Sequence, residues 1–310
     1  MAMATKTLDR SPSILPLYAR AAAPMVPGAS LLPFVPGGGG EIPELDLRLE
    51  GVAADPAEVS AYAKVCGFAL RDHLPATYPH VLAFPLHMAV MADGGFPFGA
   101  VGLVHLENRI EQHQRIGLDD EMTVRVRPTK LQPHPKGRTF SLITEVTVGG
   151  ELAWESESTM LRRGKGEEKA GGGEELLRTL PAEAPASAEW KLGSDLGRRY
   201  GSVSGDRNPI HMHSLAAKPL GFPGAIAHGM WTKARALGRL ESRLPDAFAV
   251  DVRFRKPIVL PGRVELASAE QGEVILFAVR DAKRRTPHLD GRVEPLEPKP
   301  KATTGRKKAT

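Results

Sequence analysis

The chain has 310 residues, of which 42% are hydrophobic and 25% charged, a balance that suits a globular protein of one large or two ordinary domains. A single cysteine, Cys66, excludes an internal disulfide, and no apolar run reaches the ~20 residues of a membrane span. The formal net charge of +5 comes down to Lys299, Lys301, Arg306, Lys307 and Lys308; the remaining residues sum to zero, which argues against a basic groove for nucleic acid and for a solvated tail.

In chain order, residues 1–40 read as a flexible N-terminal segment. Pro24, Pro27, Pro33 and Pro36 interrupt its apolar stretch, and Gly37–Gly40 close it. Lys6, Arg10 and Arg20 against the lone acid Asp9 leave a transit peptide conceivable, though so many prolines make a poor amphipathic helix. A first folded block covers 41–162, with strands over 121–128, 139–149 and 151–161. In it, Met91–Pro97 fits either an interrupted central helix or a simple loop. Residues 163–187, with Gly171–Gly173 and mixed charges, read as a linker. A second block covers 188–296. There Ile226, Met230, Leu237, Leu240 and Leu244 fall at roughly helical spacing, so the pattern predicts a helix over 224–244 that stops at Pro245. Phe248, Val250, Val252 and Phe254 alternate with Ala249, Asp251, Arg253 and Arg255, which predicts a strand with one buried face. Two more strands follow over 263–269 and 273–280, joined at Gln271-Gly272. Residues 297–310 form the basic tail, expected to be disordered.

The two blocks resemble copies of one another. Tyr62, Gly67 and His73 in the first match Tyr200, Gly205 and His211 in the second, each at an offset of 138 (200 − 62, 205 − 67, 211 − 73). His87-Met88 then parallels His228-Gly229-Met230 at an offset of 141 (228 − 87). Repetition at a domain-sized period argues duplication of a folding unit. A long helix followed by an antiparallel meander is α+β.

The second block carries Tyr200-Gly-Ser-Val-Ser-Gly-Asp206-Arg-Asn208-Pro209-Ile-His211. On its own, Asp-x-Asn-Pro is a common turn, because Asp and Asn cap backbone groups and proline fixes φ. With Asp206 and His211 at the two ends, the turn also brings a carboxylate and an imidazole together, the pairing used to move protons near neutral pH. The whole string, followed by Ala227-His228-Gly229-Met230, resembles the hydratase motif of the MaoC-like, (R)-specific enoyl-CoA hydratase family. The resemblance covers most of both blocks and is specific in the second.

That resemblance implies a tandem (double) hotdog, each unit a long central helix wrapped by an antiparallel sheet, standing as a pseudo-dimeric monomer or a homodimer of double hotdogs. It implies that Asp206 and His211 hold the water that adds to a trans-2-enoyl thioester, or leaves a (3R)-hydroxyacyl thioester, in fatty-acid metabolism. Asn208 and Pro209 would order the loop. Gly229 would offer its backbone N–H to the thioester carbonyl, and His228 would anchor the helix start or reach the site. The substrate would be a thioester of coenzyme A or of acyl carrier protein. The reaction is redox-neutral and calls for no cofactor. The histidines are scattered along the chain and Cys66 stands alone, so no metal site is expected, and the protein is expected in the cytoplasm. The first block has Phe68 in place of Asp206 and Leu70-Arg71 in place of Asn-Pro, so it is expected to be a degenerate, non-catalytic hotdog. Two other functions remain open: a hotdog acyl thioesterase, and a non-catalytic acyl-binding subunit.

Overall fold

A computed structural model describes residues 5–22, 40–100, 102–166, 180–181, 183–218 and 221–297. The first part of the chain forms β1 (Lys6–Leu8), α1 (Ile14–Ala22), β2 (Leu47–Val52), α2 (Pro56–Cys66), α3 (Tyr78–Met91), β3 (Leu103–Gln112), β4 (Met122–Pro128), β5 (Gln132–His134), β6 (Gly137–Val148) and β7 (Glu151–Arg163). The second part forms β8 (Ala186–Leu192), α4 (Leu196–Ser204), the one-turn helices α5 (Pro209–Met212) and α6 (Ser214–Ala217), α7 (Gly229–Leu240), β9 (Phe248–Phe254), β10 (Gly262–Gln271), β11 (Val274–Asp281) and β12 (Pro287–Pro295).

These strands make one twelve-stranded sheet, ordered β1-β2-β4-β6-β7-β3-β9-β12-β11-β10-β8, with β5 alongside β6. From its outer edge inward the first half reads β2-β4-β6-β7-β3. The second half reads β8-β10-β11-β12-β9, the same topology entered from the other end. The halves meet where β3 and β9 pair antiparallel, with Glu107 opposite Arg253, Asn108 opposite Val252 and Arg109 opposite Asp251. Glu107 and Arg109 stand to Asp251 and Arg253 at one offset, 144 (251 − 107, 253 − 109), so the pseudo-two-fold axis passes through the Asn108–Val252 pair. Two reciprocal ion pairs flank it: Arg109 to Asp251 at 2.6 Å and Arg253 to Glu107 at 2.7 Å.

The helices repeat too. Asp55 caps α2 by accepting from Ala57 N and Glu58 N, and Pro56 opens it. Both α2 and α4 end at a glycine in the left-handed region, Gly67 (φ 79°) and Gly205 (φ 74°), a conformation that a side chain would strain. The equivalent tyrosines Tyr62 and Tyr200 meet across the axis at 6.1 Å between ring centroids. The central helices are α3 and α7. α3 buries residues all round, among them Tyr78, Ala83, Leu86 and Val90, as expected of a helix wrapped by a sheet. This is the α+β double hotdog that the motif resemblance implied.

Several boundaries differ from those read in the sequence. Residues 6–22 are not a loose segment. β1 pairs in parallel with β2, Thr5 Oγ1 donates to Asp46 Oδ2, and α1 packs on α3, with Leu17, Tyr18 and Ala21 in the core and Ile14 against the Gly205 turn. Those four positions are a helical i, i+3, i+4, i+7 set, hidden in the sequence by Pro12 and Pro16. Part of the linker is also packed. Leu180 is buried against Ala267, Leu276 and Ala278, the guanidinium of Arg280 donates to Pro181 O and Ala184 O, and β8 already begins at Ala186. The basic tail from 298, residues 1–4 and 23–39, and most of the linker lie outside the described residues. The central helix of the second half begins at Gly229 rather than Gly224, because Ile226 bridges to Val259 and Leu260 N donates to Ala225 O. In the first half, α3 ends at Met91. The chain then turns through Asp93, whose carboxylate accepts from Gly95 N, and buries Phe96 against Phe98 and Phe140.

Beneath the axis lies Lys233 of α7, fully buried. Its Nζ donates to Asn108 Oδ1 (2.5 Å), Asn108 O (3.1 Å) and Val250 O (3.1 Å), while burial pushes its pKa well below that of a free lysine. Three oxygen acceptors take all three hydrogens of the ammonium form, so one side chain ties the second helix to the central strand of each half. Lys233→Met keeps the length of the side chain but leaves those oxygens without their donor. It should lower the unfolding free energy by about 2–3 kcal/mol, read as a fall in the urea midpoint. An unchanged midpoint would show that the tie contributes nothing to stability.

Candidate active site

The Asp206–His211 loop is shaped by its own short-range bonds. Gly205 turns the chain out of α4. Ser204 Oγ donates to Tyr200 O and accepts from Asp206 N. Asp206 Oδ1 accepts from Asn208 N at 3.1 Å, an Asx turn, and the Asn208 side chain then caps α5 by accepting from Ile210 N. Pro209 takes the first position of that turn of helix, where its missing N–H costs nothing. The turn carries His211 back toward Asp206.

Hydrogen bonds fix the proton positions on both imidazoles. His211 Nδ1 lies 2.8 Å from Ile226 O. A carbonyl only accepts, so Nδ1 carries the hydrogen and Nε2 keeps its lone pair. His228 Nε2 donates to Asp206 O at 2.9 Å and lies 3.8 Å from Asp206 Oδ2; this bond ties the start of α7 to the loop. The two rings stack, with centroids 3.7 Å apart, and Tyr200 packs on His228 at 4.8 Å. His213 is exposed and turned away.

Burial pushes the Asp206 carboxyl upward, but His228 and His211 beside it, with the Asn208 N–H and the Tyr18 hydroxyl, outweigh that and hold it below the usual carboxylate range. Burial lowers His211, with Asp206 and Ile226 O offsetting part of the effect. His228 is pushed down to about 3, chiefly by burial. At neutral pH the arrangement is therefore an ionised carboxylate facing neutral imidazoles. Such a pair can hold a water and exchange its protons.

Gly229 opens α7, so its N–H is one of the amides without a partner inside the helix, at the positive end of the dipole. A Cβ there would come within 3.0 Å of the Phe254 ring. Asp206, Asn208, His211, His228 and Gly229 all line one cavity of about 220 Å³. Pro209 supports the turn from outside it. The first half supplies the opposite wall, including Phe84, Met91, Leu103, Leu142 and Met160. Arg163, Arg255 and Lys256 are also on the lining. Arg253 is not, and is engaged with Glu107; Arg255 is on the lining but is itself paired with Asp290 at 2.6 Å.

Several residues here carry no signal in the sequence motif. The histidines scattered along the chain converge in space: His80, His87 and His105 line the same cavity, His80 pushed down to about 4 and His105 to about 3 by burial. Asp206, His211 and His228 also bring their ligand-type atoms within 4.8 Å of one another. Through Nε2, His228 is a poor metal ligand, because that nitrogen is committed to Asp206 O; its buried Nδ1 has no hydrogen-bond partner. Tyr18 of α1 donates its hydroxyl to Asp206 Oδ1 at 2.9 Å. In the first half, Phe68 stacks on Tyr62, and His73 pairs with the fully exposed Asp72.

Comparison with known proteins identifies the family. The sequence profile of the MaoC like domain matches residues 179–291. The chain is 38% identical over 268 residues to 3-hydroxyacyl-thioester dehydratase X of Mycobacterium tuberculosis, covering 86% of this chain and 95% of that protein. The crystal structure of HtdX from the same organism superposes with a TM-score of 0.72 at 37% identity, over 81% of this chain and all of that one. A MaoC-like dehydratase from Phytophthora capsici shares the fold, with a TM-score of 0.68 at 18% identity over 83% of this chain and 96% of that one. A relative of this identity, matched over nearly its full length, settles the family: the chain belongs to the MaoC-like dehydratases, which are hydro-lyases.

Proposed function

We propose that the chain catalyses the reversible dehydration of (3R)-3-hydroxyacyl thioesters to trans-2-enoyl thioesters, with Asp206 and His211 as the acid–base pair. The observation that carries this reading is the free Nε2 of His211 beside the ionised Asp206, in the cavity that Gly229 N–H also borders. In the hydration direction, a water held between Asp206 and His211 Nε2 gives one proton to the imidazole. Its oxygen bonds to the β-carbon, and the double-bond electrons move onto the thioester oxygen. Gly229 N–H, at the positive end of α7, stabilises that charge; one such donor is typically worth about 3 kcal/mol. The proton then returns from the pair to the α-carbon, so that one water is consumed and the catalyst is restored. Asn208 and Pro209 hold the loop, and His228 pins the helix start.

The apolar wall from the first half would receive the acyl chain. Lys256, Arg163 and Arg255 would face the phosphate of the pantetheine arm, which coenzyme A and acyl carrier protein share. Block 41–162 would then be the non-catalytic hotdog and 188–296 the catalytic one, because Phe68 stands where the carboxylate is needed. An assay with crotonyl-CoA tests the reaction class. Loss of enoyl absorbance without free thiol is hydration, free thiol means a thioesterase, and neither means a binding subunit. Matched coenzyme A and carrier-protein thioesters, across chain lengths, separate the carriers.

Asp206→Asn and His211→Ala should each lower hydration kcat by at least about a hundredfold, the low end for acid–base groups, with the circular dichroism spectrum unchanged. Activity within a few-fold of wild type in either variant removes the pair from the mechanism. His73→Ala, by contrast, should leave turnover of a short substrate within about twofold, since its ring is paired to a surface carboxylate; a hundredfold loss would place chemistry in the first half.

The pH dependence follows from the direction of the His211 shift. His211 acts as a base only when neutral, and burial moves its pKa below 6.5. Hydration activity is therefore present above that lowered pKa and is lost as pH falls through it. The kcat/KM plateau should extend to more acidic pH than a free imidazole allows. A half-maximal point at or above pH 6.5 would contradict the assignment.

A further inference from the structure

The catalytic loop is held from outside its own half by the N-terminal helix. The hydroxyl of Tyr18 donates to Asp206 Oδ1 at 2.9 Å and accepts from the next amide, Arg207 N, at 2.7 Å. One phenol thus closes on both the side chain of Asp206 and the backbone that follows it. The fit is tight on either side. Ile14, one turn earlier on α1, lies against the Gly205 turn so closely that a Cβ on Gly205 would come within 2.7 Å of its Cδ1. α1 itself is seated on α3 of the first half.

Oδ1 of Asp206 accepts from both the Tyr18 hydroxyl and Asn208 N. Two donors from different parts of the chain therefore engage the same oxygen and set the plane of the carboxylate. Oδ2, on the side of His228, is left for a water. Tyr18 does not line the cavity, so it touches Asp206 and not the substrate.

We infer that Tyr18 is a positioning residue for the dehydratase reaction: it commits Oδ1 of Asp206 and so dedicates Oδ2 to the reacting water, making the N-terminal helix part of the active site. This rests on the proposed role of Asp206. The groups facing the carboxylate are Tyr18 from α1, Tyr200 from α4, His211 from α5 and His228 ahead of α7, with His80 and His105 of the first half within electrostatic reach. Burial and the Asp206 charge push the Tyr18 phenol far above its ordinary value, so it stays a donor across the working pH range. Its removal takes a stabilising donor from the ionised carboxylate. The Asp206 pKa then rises, and the step of the acid limb that Asp206 contributes, beside that of His211, moves to higher pH.

The test is Tyr18→Phe in the full chain, which keeps the ring that packs on α3. The expected result is a fall in kcat of about tenfold with KM nearly unchanged, and an upward shift of the Asp206 step in the acid limb of kcat. The variant is also combined with Asp206→Asn. If Tyr18 acts through Asp206, the double variant is no slower than Asp206→Asn alone. A Tyr18→Phe enzyme with wild-type kcat and an unmoved acid limb overturns the inference. So does a double variant in which the two losses simply multiply, because the phenol would then support the fold generally. Full activity of Asp206→Asn by itself would instead remove the proposed role of Asp206, and is read separately.

Discussion

The pairing of β3 with β9 is the constraint on which the rest of the molecule depends. It joins the seven strands of the first half to the five of the second in one continuous sheet and places the pseudo-two-fold axis at Asn108 and Val252. A sheet so joined has no free edge at its middle, where unpaired amides would invite association. Each central helix packs on strands of its own half, α3 on β4 and β6 and α7 on β11, and α7 also meets α2 of the first half. Lys233 reaches from α7 to oxygens on both central strands. A charge-bearing side chain at the centre of the core is tolerated only because every hydrogen on it has an acceptor.

Duplication explains why the site is a cavity between halves rather than a cleft on one. Each half supplies the same turn, a helix ending in a left-handed glycine followed by the residue that would carry the carboxylate. In the second half that residue is Asp206. In the first it is Phe68, which stacks on Tyr62 and fills the core instead. With no charge to satisfy, the first half has no need of an Asn-Pro turn, and His73 stays at the surface with Asp72. What that half contributes is a wall: Phe84, Met91, Leu142 and Met160, with three imidazoles that burial keeps neutral. Cations beside Asp206 would compete with His211, the imidazole of the proposed acid–base pair, for its charge; the permanent cation that the first half brings to the lining is Arg163.

The sequence exposed the local features and hid the long-range ones. The strand at 248–254 was legible because its alternation is strict, and the 138-residue offset was legible because Gly67 and Gly205 obey the same backbone requirement. The convergence of Asp206 with His211 was legible because five residues and a proline enclose it. The start of α7 was misplaced because Ala225 and Ile226 are apolar for another reason: they pair with 259–260 ahead of the helix. Residues 6–22 look loose because Pro24, Pro27, Pro33, Pro36 and the Gly37–Gly40 run colour the whole N-terminal segment, although Ile14, Leu17, Tyr18 and Ala21 carry a helical period. Nothing local could have linked Tyr18 to Asp206, which are 188 residues apart. The clustering of His80, His87 and His105 likewise depends on a helix and a strand meeting, which periodicity does not foresee.

A buried carboxylate must be hydrogen-bonded or it will take up a proton, and this requirement connects the fold to the chemistry at Asp206. The bonds that keep it ionised come from an Asx amide within its own turn and from a phenol on a helix docked to the other half. Its carbonyl is meanwhile held by His228, at the start of the helix that would stabilise the enolate. On this reading the loop cannot be correctly formed unless both halves and the N-terminal helix are in place. Water held by Asp206 and His211 is then set at a fixed distance from Gly229 N–H, because one imidazole, His228, spans the two. On the proposed mechanism, stability and catalysis draw on the same few hydrogen bonds. A single hotdog with this motif would lack the phenol, the apolar wall and the Asn108 oxygens that hold Lys233, and would have to recover them from a second copy.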